Sequence, residues 1–462
     1  MTIRVVGERP SGAEAYDSEA GVTRREALRR GAGAVGALAG AGALAGAAPA
    51  FAGATAKASA SAPVTLRVLG IGVDQNPVLQ AQVLKDLNIK LVYTITDTPT
   101  TTQKSITQPQ NFDVAHLYVH QVPQILPAGV MQPLDTSKIP LWKGVAPVLT
   151  TGKLTPSAAC TTGQGDAAYR MLPLKKGNPT QLTGGSSPFQ AALAQTVAPS
   201  TLIMGMPGVF NVDSIGYNKK FISHVSSWAQ LFDKAYKGRV ALINDPQIGP
   251  IDAALAAEAS GKLKFANKGN MTTGEIDNLT KLLIDMKKTG FFRAFWSTFT
   301  ESVDFMATGE VVIESMWSPA QTILLESGKN VGFAAPKEGF RGWCGCTMIY
   351  KHVSGATLDA AYRYLNWWLS GFAGANMARQ AYYSPRPDTA KAHLSKAEWD
   401  YWYGGKPAAT NLVGPDGKRA IPKGAIREGG SFTQRICKYS AWNTTMPQNA
   451  YMATQWNNFI SA

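Results

Sequence analysis

Residues 65–95 have the sequence TLRVLGIGVDQNPVLQAQVLKDLNIKLVYTI. The apolar run at 65–72 predicts a buried strand, and the β-forming residues at 89–95 predict a second one. Between them, Asn76 provides an N-cap and Pro77 takes the first helical position. The apolar side chains of this helix share one face, at Val78, Leu79, Val83, Leu84 and Leu87. A strand, a helix and a strand within about thirty residues predict a βαβ unit with parallel strands.

The same alternation of strands and helices continues along the chain and predicts an α/β fold. Further strands are predicted at 112–115, 240–243, 311–313 and 331–334, and helices at 251–259, at 274–289, from a cap at Thr357 onward, and at 447–460. The tract at 150–199 differs, because its Gly, Pro, Thr and Ser content predicts a long surface insertion outside the sheet.

The composition excludes a small module and a mainly disordered chain. The 462 residues are 45% hydrophobic and 16% charged, which suits a large core divided between two domains or two lobes. The net charge of +14 is spread along the chain, so we expect no nucleic-acid partner. Four cysteines are too few for a disulfide framework but permit one or two bridges in an oxidising compartment.

Residues 1–52 have the three parts of an export signal. A pair of arginines at 24–25 precedes a weakly apolar, glycine-rich run at 31–47, and small residues at 48–52 form a cleavage site. Paired arginines are typical of export through the twin-arginine translocase. The apolar run is too short to span a bilayer of about 30 Å. We therefore expect removal of this signal, a linker at 53–63 and a soluble protein in the periplasm.

No nucleophile elbow, P-loop or dinucleotide fingerprint occurs, so we expect neither an enzyme nor a cofactor or metal. One enzymatic alternative stays open, because Cys344 and Cys346 in an exported chain could form a reactive thiol or metal site. We expect one or both of these cysteines to pair with Cys160 or Cys437, or to stay buried as small apolar groups. Four cysteines allow three complete pairings, and the sequence does not choose among them.

Nine short segments occur in a characteristic order between residues 64 and 387. They are Asn88–Tyr93, Phe112–Ala115, Gly129–Asp135, Ser214–Asn218, Ser227–Phe232, Tyr236–Gly238, Gly309–Val311, Met316–Trp317 and Pro336–Gly339. This set resembles the substrate-binding proteins of bacterial ABC importers, in particular the spermidine/putrescine-binding group. The resemblance implies a type II periplasmic-binding-protein fold, in which two α/β lobes with mixed sheets and flanking helices enclose a ligand cleft.

The resemblance also implies where the lobes lie and what the protein does. Lobe one is expected at 64–211 plus 340–383, and lobe two at 212–339 plus 384–462. The implied function is capture of a small organic solute by hinge closure and its delivery to a membrane permease, by a monomer. A binding protein that signals to a membrane receptor is an alternative use of the same fold.

Eight residues are candidates for the ligand site through this resemblance. Trp343, Trp317 and Phe210 match the aromatic walls of the spermidine/putrescine-binding group, which surround the methylene chain of an amine. Tyr118 and His120 match a polar contact segment of lobe one. The other three, Asp213, Arg341 and Gly345, bear on the charge of the ligand.

The carboxylates are where this sequence departs from that group. Gly345 stands where the group carries Asp, and Ile248 stands where it carries a ligand-binding Glu. An ammonium buried without a partner is costly, so the loss of both counts against a polyamine. Four residues are candidate replacements, namely Asp74, Asp97, Asp213 and Asp245.

Two basic residues permit the opposite ligand charge. Arg341 and His120, together with the positive net charge, suit an anionic or zwitterionic solute such as a carboxylate, an amino acid or a phosphonate. A polyamine-like amine and an anionic solute therefore both stay open.

Overall fold

The computed structural model describes residues 62–155, 158 and 160–462. The predicted signal at 1–52, and the linker that follows it up to residue 61, lie outside the described residues. Within them, no helix is long and apolar enough to cross a membrane.

The strands vary from two to thirteen residues. They are β1 (Val64–Gly70), β2 (Ile89–Ile95), β3 (Val114–Tyr118), β4 (Met131–Gln132), β5 (Leu134–Asp135), β6 (Thr161–Gln164), β7 (Leu174–Lys175), β8 (Asn178–Leu182), β9 (Leu202–Ile203), β10 (Met206–Asn218), β11 (Val240–Ile243), β12 (Phe292–Trp296), β13 (Ile313–Met316), β14 (Val331–Phe333), β15 (Phe340–Tyr350), β16 (Leu412–Val413), β17 (Arg419–Ile421) and β18 (Lys438–Trp442).

The α-helices flank these strands. They are α1 (Pro77–Leu87), α2 (Thr98–Thr107), α3 (Val122–Ala128), α4 (Pro147–Thr150), α5 (Ala168–Met171), α6 (Pro188–Ala191), α7 (Gly249–Ala259), α8 (Thr273–Lys288), α9 (Phe299–Thr308), α10 (Ser318–Glu326), α11 (Gly355–Trp368), α12 (Phe372–Arg379), α13 (Pro387–Lys391), α14 (Lys396–Trp402), α15 (Phe432–Ile436) and α16 (Asn449–Ser461).

The βαβ unit predicted from residues 65–95 is present. Asn76 caps α1 by accepting a hydrogen bond from the Leu79 amide at 3.0 Å, and β1 pairs with β2 in parallel. Several predicted boundaries differ, and the strand predicted at 311–313 runs instead from Ile313 to Met316. The strand predicted at 112–115 begins at Val114, because the Asp113 carboxylate instead binds the side chain and amide of Arg67. The helix predicted from Thr357 begins two residues earlier, after an extended Ser354.

One curled sheet runs through the molecule in the order β12-β11-β13-β10-β15-β3-β1-β2. The parallel strands β2, β1 and β3 form one end, and the parallel strands β12, β11 and β13 form the other. The long antiparallel strands β10 and β15 join the two ends. Buried apolar side chains form one large cluster at the first end and two clusters at the second. The expected α/β fold of two lobes is confirmed.

The tract at 150–199 is more than a surface insertion. Its strand β6 pairs in parallel with β18 of the main sheet, and Cys160 forms a disulfide with Cys437. Tyr169, Met171 and Leu182 are buried in the first core cluster. Apolar residues are sparse in this tract, but several of them are buried, which its overall composition did not indicate, whereas Leu193 is 43% exposed.

The tail beyond residue 383 divides between the two cores. Trp402, Ile421 and Trp442 belong to the first cluster, whereas Met452 and Trp456 of α16 belong to a second-lobe cluster. This packing differs from the expectation that the whole tail joins lobe two. The other limits of the two lobes stay predictions.

Candidate ligand-binding cleft

A cavity of about 310 Å³ lies between the lobes. Its wall follows the carboxyl ends of the parallel strands on both sides, which is where open α/β sheets bind ligands. Val73 and Thr98 come after β1 and β2 in the first lobe, and Asn244 and Ser297 come after β11 and β12 in the second. The two halves of the cleft are therefore built by equivalent ends of the two halves of the sheet.

Aromatic rings form part of the first-lobe wall. Trp343, near the middle of β15, packs edge-to-face against Tyr118 and Tyr382, with ring centroids 5.4 Å apart in both pairs. Trp317 stands on the second-lobe side, stacked on Phe299 at 6.3 Å. Trp343 is only 6% exposed, whereas Trp317 is half-buried, so Trp317 offers more ring surface to a ligand.

Three carboxylates line the same cavity. Asp213 lies on β10, Asp245 follows β11, and Asp97 caps α2 by accepting the Thr100 amide at 2.7 Å. Asp245 accepts the Gln247 amide at 2.7 Å. The described cavity wall includes no Lys, Arg or His side chain. Its charge is therefore negative wherever these carboxylates are ionised.

Burial disfavours the ionised form of two of these acids. Desolvation raises the pKa of Asp213 to about 6, although Arg341, the Ser318 amide and the Trp343 side chain oppose that rise. Desolvation also raises the pKa of Asp245, and the nearby Asp97 charge adds to the effect. A cation entering the cleft would relieve this cost, because it favours the charged form of both acids.

Arg341 lies behind the cavity wall and is almost fully buried. Its Nε donates to Asp252 at 2.7 Å and its Nη1 to the Asn443 amide oxygen at 2.6 Å, while Asp213 lies 3.7 Å away. Arg341 does not line the cavity, and its charge is already compensated by two carboxylates. The expectation that it holds an anionic ligand is not met by this geometry.

His120 also lies outside the cavity wall. Its ring stacks on Tyr118 at 5.3 Å and is buried. Desolvation, reinforced by the charge of Arg341, lowers the pKa of His120 to about 3. The ring is therefore neutral at ordinary pH and supports Tyr118 from behind instead of offering a positive charge.

Phe210 and Gly345 are not at the cavity either. Phe210 is fully buried and its ring contacts Tyr383 at 5.8 Å, inside the first core. Gly345 pairs with Val209 and Tyr118 within the sheet, and a Cβ at this position would lie 3.0 Å from Val209. Of the eight candidate residues, four line the cavity, namely Trp343, Trp317, Tyr118 and Asp213.

The family model of the bacterial extracellular solute-binding proteins matches residues 81–402. The chain belongs to this family. No curated protein matches the sequence.

Several solved structures have a similar fold, and this solute-binding protein aligns with nearly the whole length of each. A putative spermidine/putrescine ABC transporter from Listeria monocytogenes is 17% identical, with a TM-score of 0.55 over 86% of this chain and 98% of that one. The spermidine/putrescine substrate-binding protein PotD from Streptococcus pneumoniae is 14% identical, with a TM-score of 0.55 over 86% and 99%. An ABC transporter substrate-binding protein from Bradyrhizobium japonicum is 17% identical, with a TM-score of 0.54 over 86% and 99%. These likenesses establish the fold.

Tyr382 lies on the cavity wall of this solute-binding protein but was not among the residues expected there from the sequence. Tyr382 reaches the cleft because Tyr383 exchanges backbone hydrogen bonds with Phe210 on β10, which turns the preceding side chain the other way. Asn443 arrives from the tail immediately after β18. The adjacent aromatics at 382–383 were the available signal for Tyr382, and the tail segment at 442–443 was a candidate from the sequence for folding back towards the cleft.

The two cysteines behind the enzymatic alternative are both unpaired and buried in the first core. Desolvation raises the pKa of Cys344 and of Cys346 well above the ordinary range of a thiol. Both side chains are therefore neutral thiols, a state opposite to that of a nucleophile. The remaining two cysteines form the disulfide between Cys160 and Cys437.

Proposed function

We propose that this solute-binding protein is the substrate-binding component of an ABC importer and that its solute is a small cationic amine. The observation that carries the ligand class is the meeting of Asp97, Asp213 and Asp245 at one cavity that aromatic rings enclose. The protein captures the amine by closing its lobes and delivers it to the permease, without making or breaking a bond.

The cavity suits an ammonium group for two reasons. Carboxylates provide the charge partners that a buried cation requires, and Asp213 and Asp245 come from the floor and the second-lobe wall. The faces of Trp317 and Trp343 attract cations through their ring quadrupoles and cover the methylene groups of an aliphatic amine. The carboxylates that seemed missing at Gly345 and Ile248 are supplied from other positions.

An anionic solute is the weaker alternative. The two basic residues that favoured it, Arg341 and His120, are buried behind the wall, one paired and the other uncharged. A free carboxylate or phosphonate would meet three acidic side chains without a cation. A zwitterionic amino acid would bind its ammonium group but leave its carboxylate unpartnered.

The cellular setting is proposed from the sequence. The pattern at 1–52 supports export by the twin-arginine translocase to the periplasm, where the protein acts as a monomer beside its permease. An oxidising compartment agrees with the disulfide between Cys160 and Cys437.

A thermal-shift panel tests the ligand class. Putrescine, spermidine, 4-aminobutyrate and succinate are compared on the mature chain, and we expect the two polyamines to raise the melting temperature. A ligand at about 100 times its Kd adds about 2.7 kcal/mol to stability. Stabilisation by succinate alone would contradict the proposal.

A further inference from the structure

A second, larger chamber opens from the ligand cavity. Its volume is about 550 Å³, and it shares Ile71, Val73, Trp317 and Tyr382 with the first cavity. The two spaces are therefore adjacent compartments of the cleft, and Trp317 and Tyr382 line both of them.

The far wall of the chamber comes from the tail and from α10. The hairpin β16–β17 contributes Pro415 and Ala420, and α10 contributes Ile323. The family match ends at residue 402, so the hairpin belongs to the part of the chain outside it. Leu412 and Ile421 anchor the hairpin in the first core, while β17 lies against α10. The chamber is thus a formed part of the fold.

Most of the chamber surface is apolar, and its charged groups are satisfied or peripheral. Arg379 is held by Glu398, with Nε 2.7 Å from the carboxylate. Asp416 is exposed and pairs with Lys418 at 3.5 Å. Glu326 is exposed at the end of α10. The interior therefore offers apolar side chains rather than a second ion site.

We propose that this chamber binds a bulky apolar substituent of the same solute, so that the physiological ligand is an amine carrying an aryl or branched alkyl group. The inference rests on the proposed function, because the first compartment must hold the ammonium group. Cavities of several hundred Å³ lined by apolar and aromatic residues are typical of sites for substituted organic molecules. A linear diamine would fill the first compartment and leave the larger one to water.

Isothermal titration calorimetry with two probes tests this inference. Putrescine and N-benzylputrescine both carry two positive charges at pH 7, and they differ by the benzyl group on one nitrogen. We expect N-benzylputrescine to bind at least about tenfold more tightly, since burying a ring of this size removes it from water. Equal or weaker binding would overturn the chamber as a ligand site.

Matched variants test whether the chamber causes the tighter binding of N-benzylputrescine. Ile323→Trp fills the chamber, and should bring N-benzylputrescine to within about twofold of putrescine. Ile106→Trp is the control, because Ile106 is 37% exposed and Ile323 38%, yet Ile106 lines neither compartment. If Ile323→Trp weakens the binding of both probes, the same comparison is made with Pro415→Trp, which narrows the chamber from the side of the hairpin. A gain that persists in both variants would overturn the inference.

The two levels of the proposal fail differently. Binding of putrescine without a gain from the benzyl group would leave the cationic-amine function standing and remove the chamber. Failure of both probes to bind the wild-type protein would overturn the proposed function, and this inference with it.

Discussion

The protonation state of Asp213 makes cation binding in the cleft depend on pH. Its carboxylate faces Arg341 at 3.7 Å, with Asp252 beyond, and it lines the cavity beside Trp343. Desolvation raises its pKa to about 6. In the ligand-free protein the raised pKa stabilises the folded state at low pH, and that contribution is lost as the pH rises through about 6. A bound cation needs the opposite, ionised form.

We therefore predict that amine affinity falls as the pH drops below about 6. Each pH unit should cost up to about tenfold in Kd for the proton that Asp213 takes up, provided the amine stays fully charged. Calorimetry between pH 5 and 8 measures the slope. Asp213→Asn should bind more weakly at pH 8 and show a slope lower by about one proton. If the affinity of this variant depends on pH as steeply as that of the wild type, Asp213 is not the group that takes up the proton.

The two tryptophans of the cleft should respond differently to truncation. Trp317→Ala removes a half-exposed ring and should weaken amine binding with a modest loss of stability. Trp343→Ala should weaken binding and also lower unfolding stability by about 3–5 kcal/mol, because this ring is packed between Tyr118 and Tyr382. Denaturant unfolding and calorimetry separate the two effects. Unchanged affinity in both variants would remove the aromatic wall from the site.

At the scale of elements, prediction from the sequence succeeded where a pattern is local and failed where partners are distant. The helix after Asn76 and the strand at 240–243 follow from caps and apolar runs, and both are present. The pairing of β6 with β18 joins segments almost three hundred residues apart, and neither segment has a strong pattern of its own.

The same limit applied to the site. The resemblance to the spermidine/putrescine-binding group correctly predicted Trp343, Trp317 and Tyr118 at the cleft. These residues lie on or next to strands of the main sheet, whose order fixes where their side chains lie. The resemblance failed for Phe210, whose side chain points into the core. The charge of the cleft could not be predicted either, because it depends on which acids face the cavity and on the partners that neutralise Arg341.

The disulfide between Cys160 and Cys437 fastens the tract at 150–199 to the tail next to β6 and β18. It closes a loop between residues 277 apart, so we predict that the Cys160→Ser, Cys437→Ser double variant loses about 2–4 kcal/mol of unfolding stability. Denaturant unfolding with and without dithiothreitol measures this. Reductant should destabilise the wild type and leave the double variant unchanged. A wild type insensitive to reductant would contradict the prediction.

At the scale of the whole molecule, the lobes are joined by more than the two crossing strands. The Gln164 side chain accepts the Lys268 amide at 2.9 Å, and the Tyr217 hydroxyl donates to Glu428 at 2.7 Å. These contacts connect the 150–199 tract and the tail to second-lobe elements. When the cleft opens, the two lobes must move either without disturbing these two hydrogen bonds or by breaking both of them.

Capture by closure predicts a change of overall size. We expect saturating putrescine to reduce the radius of gyration of the mature chain in small-angle X-ray scattering, because closed lobes are more compact than open ones. Asp245→Asn, with weakened binding, should need more ligand for the same change. A radius of gyration that is identical with and without bound ligand would contradict hinge closure.

The central claim is that the carboxylates of the cleft bind a cationic amine. Its most direct test is titration calorimetry of putrescine at pH 8 against the wild-type mature chain and against Asp245→Asn, with Asp277→Asn as a control at an exposed helix position. We predict measurable binding to the wild type and to the control, and a loss of about tenfold or more in Asp245→Asn, because a buried ammonium loses a charge partner. Equal affinity in all three proteins, or no binding to any of them, would contradict the claim.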